Sequence, residues 1–235
     1  MTATSSKVTR VIGYSALGFT ALALLFGLVI SGPEVNMRDS VRLLYVHVPS
    51  ILTAYLCFGI TLVGSVIYLR NRSTFWDLVA GSAAEVGTLY LAFALITGAV
   101  WGKPTWGTYW EWDPRLTSTA VMFIMYLGYL ALRRMELPQE VRSRRAAVLG
   151  VVNIINVIVV HYSVQWWRGL HQGRTFGLDP QIRDMQYFSW FLGTVALGLI
   201  AAWLIIHRFR VAWLERQLDE IHLEEALVER RGEGV

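Results

Sequence analysis

The sequence predicts an all-α, polytopic integral membrane protein with six transmembrane helices and both termini in the cytoplasm. Three observations carry that expectation. Apolar residues make up 54% of the 235 residues and charged residues only 16%, against about 25% charged in an average soluble chain. Mean hydropathy is +0.44. The apolar residues also gather into six runs of about 20 residues, the length a helix needs to cross a bilayer core. The net charge of +4 is small and scattered, which argues against a nucleic-acid partner. A single cysteine, Cys57, excludes an internal disulfide, a CxxC redox pair and a CxxCH motif.

The runs cover residues 11–30, 44–69, 78–100, 116–132, 146–164 and 188–206. The first follows a head carrying Lys7 and Arg10, as a signal peptide would. However, its apolar stretch exceeds the roughly 7–15 residues of a signal core and ends in Ser31-Gly32-Pro33-Glu34. A retained helix is therefore expected. The later runs are joined by short loops, without internal repeats or low-complexity tracts. This predicts one membrane domain over residues 1–206 and a cytoplasmic tail over 207–235. Lys and Arg favour cytoplasmic loops. Fourteen of them fall in the head, the 70–77 and 133–145 loops and the tail, against seven in the other three loops. Arg133, Arg134, Arg142, Arg144 and Arg145 share one short loop and dominate that bias.

The same orientation puts three unusual segments together on the outer side. The middle one runs from Trp101 through Trp106, Tyr109, Trp110 and Trp112 to Asp113, Pro114 and Arg115. One reading is an aromatic belt at headgroup level. Four indoles in a Gly- and Pro-bearing loop instead suggest an apolar shelf for a large flat ligand, because indole offers wide contact at little entropic cost. Asp113-Pro114 has the form of an N-cap followed by proline at the first helical position, which any helix start could share. His47 lies at the outer end of the second run, in Leu44-Tyr45-Val46-His47-Val48-Pro49. His171 follows Trp166, Trp167 and Arg168 in the last outer loop, and His161 lies near the outer end of the fifth run.

A lone histidine at a helix end reads as an interfacial hydrogen-bonding residue. Two flanking a tryptophan segment on one face suggest metal ligation. Zinc would call for further Cys, Asp or Glu ligands. Haem needs one or two axial ligands, apolar faces and cations for its propionates, and Arg168, Arg174, Lys103 and Arg115 lie on the same side. Among flat metal-bearing ligands, haem fits these residues best.

The run WGKPTWGTYWEWDPRLTS, with YVHVP and HYSVQWWRGLHQG, resembles the tryptophan-rich WWD segment of the haem exporter protein C (CcmC) family of bacterial system I cytochrome c maturation. The resemblance covers roughly residues 40–175. It implies non-covalent haem b held on the outer face at Trp101, Trp106, Tyr109, Trp110, Trp112, Asp113, Trp166, Trp167 and Arg168. It also implies bis-histidine iron ligation by His47 and His171. It further implies haem delivery to the periplasmic chaperone CcmE, within a bacterial inner-membrane complex of CcmA, CcmB and CcmD. Tyr109 stands where the family pattern has Trp, and Pro114 where Ala is common.

No G-x-x-x-x-G-K-[ST] stretch occurs, so ATP would be hydrolysed by a partner. The chain is expected to be a haem-binding transfer component and not an enzyme. Two other classes stay open on sequence alone. A quinol-linked haem oxidoreductase would place paired histidines within facing spans, and a plain transporter would use its tryptophans structurally. Glu85, Asn153 and Asn156 read as groups hydrogen-bonded to neighbouring helices, or in the case of Glu85 as part of a ligand path. Cys57 reads as a small packing residue, and the charge-alternating tail as a solvated helix.

Overall fold

A computed structural model describes residues 6–34, 37–171 and 184–232. It contains six helices long and apolar enough to cross a membrane. Helix α1 spans Lys7–Leu24 and ends in a π-helical turn, Leu25–Ile30. The other five are α2 (Val41–Asn71), α3 (Thr74–Trp106), α4 (Pro114–Arg133), α5 (Gln139–Trp166) and α6 (Asp184–Gly232). The second to fifth hydropathy runs are thus the inner parts of longer helices, while the first ends with its helix at Ile30 and the sixth is the first part of α6.

The ends follow from local chemistry. Ser6 caps α1, its hydroxyl accepting from the Thr9 N–H at 3.2 Å. The Asp113 carboxylate caps α4 ahead of Pro114. Helix α3 outlasts its hydropathy run by six residues. It passes Pro104 and stops at Gly107, which takes a left-handed conformation with φ 82°. The first half of the expected tryptophan loop is therefore helix. A proline removes one N–H donor, and α3 continues for only two residues beyond it. Helix α6 runs unbroken across residues 206 and 207, because the apolar run passes directly into a helix-favouring charged sequence.

Helix α2 is central, packing on α3 most extensively and also on α5 and α6, while α1 lies against α6 alone. The core is aromatic: Phe58 of α2 stacks on Tyr126 of α4 at 3.6 Å between ring centroids. Several polar side chains at membrane depth find partners on neighbouring helices, which lowers the cost of placing them in lipid, while the hydroxyls of Ser65 and Tyr126 stay buried without one. Asn153 donates to the Met125 carbonyl at 3.3 Å, and Asn156 to that of Ser118 at 3.2 Å. Glu85 of α3 is held by Arg208 of α6. Arg133, one of the five clustered arginines, turns inward. Its Nη1 meets Asp77 Oδ1 at 2.7 Å, and Ser143 donates to Oδ2 of the same carboxylate at 2.9 Å. That buried triad clamps α3, α4 and α5 at the arginine-rich end. Cys57 is buried in the core.

Candidate functional site

At the opposite end of the bundle, α2, α3, α4, α5 and the segment after α5 enclose a cavity of about 550 Å³. That lies in the usual range for small-molecule pockets. Each wall is a helical stripe. From α2 come His47, Ile51 and Tyr55, four residues apart, and from α3 Ala94, Gly98 and Gly102 at the same spacing. Residues that recur at this interval share a helix face, so the walls follow from periodicity once the helices are placed.

His47 enters from α2. Its Nδ1 lies 3.0 Å from the Ala94 carbonyl oxygen and 3.2 Å from Thr97 Oγ1. A carbonyl only accepts, so neutral His47 carries its proton on Nδ1 and leaves the Nε2 lone pair bare. The ring meets Trp101 edge-on at 5.7 Å. Space for it is made by Gly98, where an added Cβ would fall 2.8 Å from His47 Cε1. Gly98→Leu is therefore expected to overpack the site and cost about 1–3 kcal/mol. Gly59→Leu, with no neighbour within 4 Å of the added carbon, should leave thermal unfolding unchanged. Equal melting temperatures for both variants would contradict this account.

His171 enters from the other side, after α5, and meets Trp106 edge-on at 4.8 Å. What holds it is Asp113. Oδ1 of this buried carboxylate accepts from the backbone N–H of Arg115 at 2.8 Å and of Leu116 at 3.2 Å, while Oδ2 accepts from the His171 N–H at 3.3 Å. One carboxylate thus caps α4 and ties down the segment that carries the histidine. Gly169 permits this closeness, since a Cβ there would collide with Asp113. His171 Nδ1 lies 3.3 Å from Asp113 Oδ1, near enough for electrostatic attraction but off-axis, so it is buried without a well-formed hydrogen bond. Burial pushes the His171 pKa down to about 4, against the opposing pull of Asp113. Burial alone would raise the Asp113 pKa, but the Leu116 N–H, His171 and the other N–H donors hold it below the ordinary carboxylate value.

The expected site residues divide. Trp101, Trp106, Trp110, Arg115, His47 and His171 line the cavity. Asp113 stands behind it. Trp112 is 79% exposed and Tyr109 59%, the latter with Lys103 Nζ 5.3 Å from its ring centre. Trp166 and Trp167 are also exposed and meet one another edge-on at 5.7 Å, outside the lining. Arg168 is exposed as well. Arg174 lies outside the described residues, as do Gln172 and Gly173 of the LHQG segment. His161, the alternative ligand, lines the cavity too, packed between Tyr55 at 6.4 Å and Tyr162 at 4.9 Å. Sequence reasoning missed Tyr55, two turns after His47 on the same stripe. Arg115 Nη2 donates to the His161 carbonyl at 3.3 Å. Among the described residues no carboxylate lies within ion-pair distance of its guanidinium.

Fold and cavity together define a polytopic α-helical membrane protein with an apolar, imidazole-bearing pocket at one end of its bundle. The family model for heme exporter protein C matches residues 1–224, and the chain belongs to that family. It is 35% identical over 215 residues to the heme exporter protein C of Rhodobacter capsulatus, covering 88% of this chain and 89% of that protein. The Escherichia coli K12 heme exporter protein C is 32% identical over 189 residues, covering 79% and 76%. That of Haemophilus influenzae is 28% identical over 211 residues, covering 89% and 86%.

Proposed function

We propose that the chain carries haem for cytochrome c maturation, holding haem b non-covalently in this cavity with His47 and His171 as axial ligands. The reading rests on one observation. Two histidines 124 positions apart in sequence line a single apolar pocket, each against a tryptophan of the same segment. The donor set suits haem. His47 presents a bare Nε2, and His171 has its Nδ1 3.3 Å from the Asp113 carboxylate, whose attraction favours a proton on Nδ1 and leaves Nε2 for a ligand. Arg115, which has no carboxylate partner among the described residues, supplies a cation for a propionate. Two imidazoles would fill both axial positions and leave none for oxygen, which suits a carrier and not an oxidase. Absorption spectroscopy of the purified protein tests the reading: a low-spin, six-coordinate Soret band is expected, and its absence from functional protein would favour a transporter whose tryptophans are structural.

The recipient would be the periplasmic chaperone CcmE, with CcmA, CcmB and CcmD completing the complex in the bacterial inner membrane. The arginine bias supports a periplasmic cavity. Reporter fusions should give cytoplasmic signals at both termini and at residue 137, and a periplasmic signal at residue 108. A periplasmic signal at 137 would invert the assignment and put the cavity on the wrong side for that chaperone.

Acid sensitivity follows from the low pKa of His171. Its ordinary value is about 6.5, so between about 6.5 and about 4 the unfolded chain takes up a proton that the folded chain refuses. Stability therefore falls as pH falls through that window and levels off below it. Ligation needs neutral imidazole. Haem retention should thus hold from pH 8 to pH 6 and fail only toward pH 4. A midpoint of haem loss near 6.5 would show that His171 titrates as an exposed histidine.

A further inference from the structure

Helix α6 has 49 residues. At 1.5 Å per residue it is about 70 Å long, more than twice the roughly 30 Å bilayer core. Its first half packs in the bundle. Contact with α1 persists to Arg210, which donates to Thr9 Oγ1 at 2.7 Å. Beyond Trp213 the ion pairs among the described residues lie within the helix itself: Arg208–Glu215 at 3.4 Å and Arg216–Glu220 at 2.9 Å.

This projecting half carries one apolar row, and Leu223 and Leu227 are exposed singly on the opposite face. Val211, Leu214, Leu218, Ile221 and Val228 recur at three- and four-residue steps, which places them in one row along the helix, and they are 47–68% exposed. Glu215 and Glu229 border the row on one side and Glu224 on the other, while Glu225 lies within it. Arg216 sits on the opposite face. Residues 211–230 hold six carboxylates and two arginines, within a chain whose net charge is +4.

We propose that this apolar row with acidic borders is the docking surface for a basic amphipathic helix of a partner protein on the membrane side where the termini lie. Charge complementarity selects that occupant. Lys or Arg flanking the partner's apolar row would face Glu215, Glu224 and Glu229, and a cation within that row would answer Glu225. A second copy of this chain fits poorly. Copies inserted in the same orientation can meet only in parallel, which sets Glu225 against Glu225 and Glu224 against Glu229. An anionic membrane surface is also disfavoured, because juxtamembrane lipid attraction needs basic and not acidic segments.

The test uses the full-length chain in intact membranes, with a photoreactive benzophenone side chain placed in turn at positions 214, 218 and 223. Positions 214 and 218 lie in the row, and 223 lies on the opposite face. The expected result is one protein adduct from 214 and 218 and none from 223. Peptide mapping should place it on a helical segment of another protein whose apolar row is flanked by Lys or Arg. Combining Glu224→Lys with Glu229→Lys, which leaves the row intact, should cut that adduct at least tenfold. An adduct to a second copy or to lipid would overturn the proposal. So would adducts equal on both faces, an adduct indifferent to charge reversal, or no adduct. The proposal is independent of haem binding. The side of the membrane is read separately, by thiol labelling of Leu223→Cys in sealed vesicles.

Discussion

Replacing His47 or His171 by glycine is expected to abolish the low-spin six-coordinate spectrum, and millimolar imidazole to restore it. Each substitution removes one nitrogen ligand and leaves a hole the size of the ring, which free imidazole can fill. The two variants should differ in their response. His47 is anchored on α2 through the Ala94 carbonyl, so its loss leaves a preformed helical slot, and rescue should be nearly complete. The His171 peptide is itself the link to Asp113, and glycine keeps that N–H while losing the ring. Rescue is expected there too, at higher imidazole concentration. His161→Gly is the control: its ring lines the cavity, and the spectrum should persist. Loss of the low-spin band in His161→Gly, with retention in His171→Gly, would reassign the second ligand.

The second large effect belongs to Asp113. Its two oxygens do separate jobs, one capping α4 and one holding the His171 N–H. Asp113→Ala removes both. Losing the cap should cost about 1 kcal/mol, and the freed segment should lose the axial position. Asp113→Asn divides the roles. Its carbonyl oxygen can still accept from Arg115 and Leu116, while its NH2 group cannot accept from His171. Thermal stability should therefore stay close to the parent while the low-spin fraction falls severalfold. If Asp113→Asn holds haem as the parent does, the carboxylate serves α4 alone, and His171 is positioned by something else.

Much of the site was legible because its signals are local. Trp101, Trp106, Trp110 and Asp113 lie in one run, and the Asp-Pro pair marks the start of α4 as written. His47 and His171 were singled out by their neighbours. Other features had no local signature. The Asp113–His171 link spans 58 residues and Glu85–Arg208 spans 123, and nothing beside either carboxylate in sequence names its partner. The exposure of Trp112, Trp166 and Trp167 was equally hidden. A cluster of indoles states how much aromatic surface a segment carries but not which rings turn inward. That depends on where α3 stops, and Gly107 sets the stop six residues later than hydropathy does.

The sequence by itself determined the number of membrane helices and which residue types could meet a flat, metal-bearing ligand. The helix count depends on composition over windows of about 20 residues, where transfer free energy sums almost independently of packing. It also carried the motifs that place the chain in its family. The tertiary structure alone decided which imidazoles share one cavity, which indoles line it, and that a buried carboxylate binds a helix start and a distant histidine at once. Those are contacts between segments far apart in sequence. They form because a buried carboxylate or amide is costly without a partner where little water can supply one, and the partners come into reach only when the helices are in place.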